Sequence, residues 1–367
     1  MTAKQTMSAS LVGLLCAVSP VLAEEPEPDA DVQPPGEVQP KPKLELMPKR
    51  APTGTFELGA GYTTDDGFLA TARVAQPRLF GTDKGLSLWA LVSERRQEFL
   101  TRYEDPTLFD VLHLRGDLYS RRKLYPGFQR QAAGGMLTLG RRIAPNLDVF
   151  VGYRLEQVEV TPDATTLARG VRAEPFWRGG MIGAVRTGVH YSTLERDRYP
   201  ARGTDVGAAI EVADRGLGSD LDYLRTDAWL GHHRPLGPFT LHLGARASSI
   251  TDVPLSERLH FDGSSEVRGY APGAVGPTDP VTGLPTGGNF LWSARGELEA
   301  PLGDTNLSLV GFVDAGGLYA PWGGQTAASA GFGVIWRSPI GPLRFDVAYP
   351  LDGDGKPRYI FGIGGMF

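Results

Sequence analysis

The last third of this 367-residue chain holds one arginine and three acids whose side-chain types pair as ions. Arg268 lies in Val267-Arg268-Gly269-Tyr270, inside a long Gly/Pro-rich stretch. Glu297, Glu299 and Asp314 follow on two alternating segments. A guanidinium is planar, permanently charged and can be held bidentately by a carboxylate. An arginine in a semi-buried site needs such partners, and Gly269 gives the chain freedom for a sharp reversal at the tip.

No other grouping of residue types amounts to a reaction centre. His232-His233 has no third ligand type beside it, so surface or turn histidines are expected there. Asp352-Gly353-Asp354-Gly355 lacks the later acidic ligands of a calcium loop and reads as a hairpin connection. No nucleophile elbow, phosphate-cradling loop, zinc-protease motif or patatin-type lipase domain is expected. Cys16 is the only cysteine, which removes disulfides and thiolate zinc sites. The expectation is a protein that is not an enzyme and carries no cofactor or metal. A net charge of −5 gives no reason to expect a nucleic-acid partner.

The elements that must position Arg268 and the acids are strands. Helical periodicity is nearly absent, and no apolar run after the N-terminal segment is long enough for a membrane helix. What recurs is apolar/polar alternation over stretches of roughly ten residues between turn residues, the pattern of a transmembrane β-barrel. Residues 53–367 read as sixteen antiparallel strands, with a return strand at Phe99–Tyr103 ending at Glu104-Asp105-Pro106, and a long loop at 251–287. Parity assigns the faces. Leu307, Leu309, Val313 and Ala315 suit lipid, while Ser308 and Asp314 suit a polar lumen. Trp292, Ala294 and Leu298 oppose Ser293, Arg295, Glu297 and Glu299. An Arg or Lys at mid-bilayer on the lipid face costs about 2–4 kcal/mol, so this sorting of charge is informative.

The N-terminus reads as a secretory signal over 1–23. Lys4 gives the basic start, Leu11–Ala17 the apolar core, and Val21-Leu22-Ala23 the cleavage site. Residues 24–52 are rich in Pro and charge, acidic first and basic later, and read as a disordered periplasmic tether. An even strand count behind a secretory signal puts both termini in the periplasm of a bacterial outer membrane. The loop 251–287 is then extracellular or folded back into the lumen.

The Val-Arg-Gly-Tyr tip, the strand after Phe290, the Gly311-Phe312-Val313-Asp314-Ala315-Gly316 strand and the terminal Phe367 together resemble the bacterial surface antigen family. This is the superfamily of outer-membrane barrels that includes the assembly factors BamA and TamA. The resemblance covers 53–367 and is most specific over the last hundred residues. It implies that the loop after the eleventh strand folds inward. Its arginine would contact an aspartate on the thirteenth strand and an acid on the twelfth. Here those roles fall on Arg268, on Asp314 with Gly316 beside it, and on Glu297 or Glu299, which share a face. The terminal strand, with Tyr359, Phe361, Ile363 and Phe367 on one side, resembles the C-terminal signal of such barrels.

The resemblance implies outer-membrane lipid and, during biogenesis, the barrel assembly machinery as partners. A separate periplasmic partner would supply the POTRA modules for which the 24–52 tether leaves no room. The expected function is assistance in moving or inserting proteins or lipid-linked cargo. A passive structural or pore-forming barrel is the alternative. Gly59, Gly61, Gly362, Gly364 and Gly365 leave the closing seam poor in side chains, which suits either a labile seam or relief of crowding. Deleting Glu24–Lys49 behind an intact signal is expected to leave folding unchanged, read as the heat-dependent gel shift of a folded barrel. A truncated chain that never reaches the heat-modifiable form would make that segment structural.

Overall fold

Alternation of small, aromatic and β-branched residues builds a sheet that closes on itself. The computed structural model describes residues 54–63, 67–163, 179–195, 201–338, 341–352 and 355–363. The strands are β1 (Thr55–Thr63), β2 (Gly67–Gln76), β3 (Gly85–Ser93), β4 (Arg96–Leu108), β5 (Leu112–Tyr125), β6 (Phe128–Ala144), β7 (Leu147–Pro162) and β8 (Gly179–Ser192). They continue with β9 (Gly203–Ala213), β10 (Tyr223–Leu236), β11 (Phe239–Ile250), β12 (Phe290–Pro301), β13 (Leu307–Ala320), β14 (Gly323–Ser338), β15 (Gly341–Pro350) and β16 (Arg358–Ile363). Each strand pairs antiparallel with its sequence neighbours. β1 pairs with β16 through Ala60↔Ile363, Gly61↔Gly362, Tyr62↔Phe361 and Thr63↔Ile360, so the fold is a closed sixteen-stranded barrel. Closure through these four pairs joins the two sheet edges, so their N–H and C=O groups are paired there rather than left open.

The faces follow the alternation. On β13, Leu309, Gly311 and Val313 are exposed on the outside, while Ser308, Val310, Phe312 and Asp314 are buried within. On β14, Phe332, Val334 and Trp336 face out. The core is not between layers of sheet. It lies between the inner wall and the connection from β11 to β12, where Phe261, Val267, Tyr270 and Val275 join Phe128, Ile182, Leu291 and Leu318 in one apolar cluster.

Several boundaries differ from the sequence reading. β4 does not stop at Glu104-Asp105-Pro106 but runs to Leu108, with a register shift between Asp105 and Leu108. Pro106 sits within that irregular step, where its missing N–H interrupts no regular ladder. Phe109 and Asp110, both at positive φ, make the turn. β14 begins at Gly323, and the apolar/polar alternation by which its sequence reads as a strand starts only at residue 327, because its first four residues are all exposed. His232 and His233 belong to β10 and not to a turn. The signal over 1–23, the tether over 24–52, Asp65-Asp66, Gly364, Gly365 and Phe367 lie outside the described residues.

Val313 is 61% exposed on the outer face of β13. Val313→Arg is therefore expected to cost about 2–4 kcal/mol in a bilayer, and Val313→Leu close to nothing. Refolding yield into lipid vesicles, scored by heat modifiability, checks this. Equal yields for the two variants would mean that this face does not meet lipid.

Candidate functional site

The connection between β11 and β12 turns at Gly269, whose φ of +94° suits glycine. A Cβ there would lie 3.3 Å from both the Ala348 side chain and Pro350, so the tip is also pressed against β15. Gly316 on β13 makes room on the other side, since a Cβ there would come within 2.9 Å of Val267 and of the Trp292 carbonyl. Val267 is fully buried. The hydroxyl of Tyr270 donates to the Ala328 carbonyl at 2.9 Å on β14. With Arg268, the four motif residues touch four strands, β12 to β15.

Arg268 is buried and bonded at every nitrogen. Its Nε and Nη2 donate to Asp314 at 2.7 and 2.8 Å, a bidentate fork, and its backbone N–H donates to the same carboxylate at 3.1 Å. Its Nη1 donates to Glu297 at 3.0 Å and to Asp346 at 3.2 Å. The guanidinium carbon stands 3.5 Å from the Phe312 ring centroid, a cation–π contact. Burial lowers the proton affinity of Arg268. The bond and charge of Asp314, with Glu297 and Asp346, outweigh it and raise the pKa above its ordinary value.

Two members of this network were missed in the sequence. Arg344 donates to Glu297 at 2.6 and 3.0 Å and to Asp346 at 2.9 and 3.0 Å, so two guanidiniums are held among three carboxylates. The signal was there: Arg344 and Asp346 are two apart and share the inner face of β15. Glu299 is not joined to Arg268. It bonds His242 at 3.2 Å and makes a close ion pair with Arg337. His242 meets His233 at 2.6 Å, so the inward histidine pair comes from β10 and β11 and not from adjacent residues. Among the described residues no group of His, Cys, Asp and Glu is arranged to hold a metal. Tyr359 and Phe361 are exposed on the outer face of β16.

The connection has a second attachment on the opposite wall. Lys123 on β5 pairs closely with Asp262, and Arg130 on β6 donates twice to Glu257 at 2.9 Å. His260 packs 4.6 Å from the Tyr125 ring and 5.6 Å from Phe128, and its Nε2 donates to the Leu255 carbonyl at 3.0 Å. Burial pushes the His260 pKa down to about 4, so it is a neutral member of this aromatic box. Between the two attachments, Arg295 of β12 donates to the Ser264 and Glu266 carbonyls, and Glu266 pairs closely with Arg246.

The fold is a closed barrel whose β11–β12 connection is pinned to the inner wall through Arg268. The Omp85 superfamily domain matches residues 78–367. The chain belongs to that superfamily, and its place is the bacterial outer membrane. It is 26% identical over 352 residues to the outer membrane protein assembly factor BamA of Nitratidesulfovibrio vulgaris, covering 88% of this chain and 43% of that protein. It is also 26% identical over 394 residues to BamA of Neisseria meningitidis serogroup B, covering 88% of this chain and 48% of that one. The chain thus spans less than half the length of these relatives. Among solved structures, BamA from Haemophilus ducreyi lacking POTRA domains 1–3 superposes with a TM-score of 0.68 at 20% identity. That match covers 85% of this chain and 70% of the other. CdiB from Acinetobacter baumannii gives 0.60 at 12% identity, covering 85% and 59%.

Stranding one partner of a buried ion pair costs about 3–5 kcal/mol, and a wet lumen reduces that to about 1–3 kcal/mol. Arg268→Ala is expected to leave a folded barrel whose 251–287 segment is cut faster by protease. Asp314→Asn should act alike, and the double variant should be sub-additive because both remove one contact. Additive losses in denaturant midpoint would show that the two residues act independently.

Proposed function

We propose that this barrel assists the insertion or translocation of polypeptides, or of lipid-linked cargo, at the outer membrane. In this reading Arg268 acts as a lock on the lumen and the β1–β16 seam is the site of client handling. The observation that carries the proposal is the pairing of an inner cavity with a bare seam. A cavity of about 780 Å3 is lined by Leu69, Trp89, Leu91, Ile335 and Ile360 together with Arg268, Glu297 and Arg344. Ile360 belongs to the seam strand β16. Beside it, Gly61 faces Gly362 across the seam on the inner side, so no side-chain pair ties the two strands there. Cross-strand side-chain pairs are the unit of sheet stabilisation, and glycine supplies none.

Both termini are assigned to the periplasm, which makes the β11–β12 connection enter from the outside. The partners are outer-membrane lipid, the barrel assembly machinery during biogenesis, and periplasmic modules that capture the client, on this polypeptide or on a separate protein. A wide passive pore is disfavoured by the connection that spans the lumen between β5–β6 and β12–β15.

Gly61→Cys with Gly362→Cys on a Cys16→Ser background tests the seam. Antiparallel partners have Cα atoms about 4.5–5.5 Å apart, within reach of a disulfide. The oxidised variant is expected to stay folded but to lose its acceleration of the folding of a urea-denatured outer-membrane barrel into vesicles. Reductant should restore it. Equal acceleration in both redox states would remove the seam from the mechanism.

A further inference from the structure

The half of the lumen facing β4–β11 contains a second chamber, of about 590 Å3, roofed by Ser256, Glu257 and Arg258 of the β11–β12 connection. Eight arginines line it and only five carboxylates. The chain as a whole carries a net charge of −5, so this excess of positive charge is local and opposite in sign. Arginine and lysine side chains set around a confined wall are a usual means by which a pore attracts phosphate-like anions, and the low-dielectric enclosure strengthens their field.

The arginines are not equally engaged. Those deepest in the wall are neutralised: Arg154 lies 2.8 Å from Glu156 and 2.7 Å from Glu211, and Arg102 is held bidentately by Asp117. Arg121 on β5 makes no ion pair among the described residues. It lies over the Tyr119 ring at 4.2 Å, a contact that leaves its N–H edge available. Arg225 on β10 reaches Asp227 at 3.1 Å, but that carboxylate is also taken by Arg186 and by the Ser248 hydroxyl, each at 2.7 Å. The chamber therefore presents under-neutralised guanidiniums from two walls.

We infer that this chamber is a binding site for a water-soluble oligoanion bearing phosphate or carboxylate groups, held chiefly by Arg121 and Arg225. With Arg246 set against Glu266, an excess of two guanidiniums remains, which suits a ligand with several charges more than a single chloride. The site stands apart from the Arg268 network and from the seam, so it holds whether or not the barrel handles polypeptides.

Sodium tripolyphosphate is the probe. The full chain, folded in detergent and verified by heat modifiability, is titrated calorimetrically at low and at physiological ionic strength. Saturable binding is expected, weakening with salt. Arg121→Gln with Arg225→Gln removes two charged hydrogen-bond donors and should weaken binding by about tenfold or more. Arg142→Gln removes the same charge at a site that is 70% exposed outside the chamber and should change nothing. If the double variant does not fold, Arg121→Gln alone serves, since it breaks no ion pair. No saturable binding, an unchanged affinity in the Arg121 variants, or an equal loss in Arg142→Gln would each overturn the site.

Discussion

Everything in this molecule depends on the requirement that a backbone crossing lipid must pair each of its own N–H and C=O groups. A sheet meets this only by closing, and closure divides every strand into an outer and an inner face. Charge is excluded from the first and so gathers on the second. The Arg268 network, the arginine chamber and the His233–His242 pair are all products of that sorting. A soluble sheet with one wet face would have no reason to collect so many guanidiniums and carboxylates at short range.

The connection between β11 and β12 turns this interior into a structured one. It is attached to β5–β6 and to β12–β15, and β6 and β14 stand eight strands apart in a ring of sixteen, on opposite walls. Magnitudes separate two roles. Burying Phe261, Val267 and Val275 stabilises by about 1.5–3 kcal/mol each, while a buried ion pair roughly balances its own desolvation. Apolar burial therefore supplies most of the stability of the inward position. The ion pairs fix where along the wall the segment sits, because a displaced Arg268 would leave Asp314 uncompensated.

The barrel was legible because its two faces differ in chemistry along most strands. It was illegible where that difference fails. The Asp105–Leu108 step breaks the register of β4, and the exposed start of β14 has two polar sides, so both strands were read too short. In the site, the resemblance picked out Arg268, Asp314 and two candidate glutamates. Arg344, Asp346 and Phe312 were passed over, although all three lie on the inner parity of their strands. The second attachment, through Asp262, Glu257 and His260, had no local signal. Its partners on β5 and β6 are well over a hundred residues away, and charged loop residues read as solvated.

What parity cannot supply is height, and this is why the choice between Glu297 and Glu299 stayed open. Both face inward, but two residues along a strand amount to about 7 Å. Register resolves it. Glu297 pairs across β12–β13 with Phe312, the ring on which the Arg268 guanidinium rests. Asp314 is one inward position further along β13, within the span of the same fork. Glu299 instead sits at the level of Val310, Gly333 and Asp346 on the next three strands. Asp346 is therefore three strands from it, about 14 Å around the wall. Arg268 reaches Asp346 from the β13 side, and Glu299 is left to Arg337 and His242. The network is a diagonal across four strands, drawn by barrel stagger, and a single slip of register between β12 and β13 would turn its acids toward lipid.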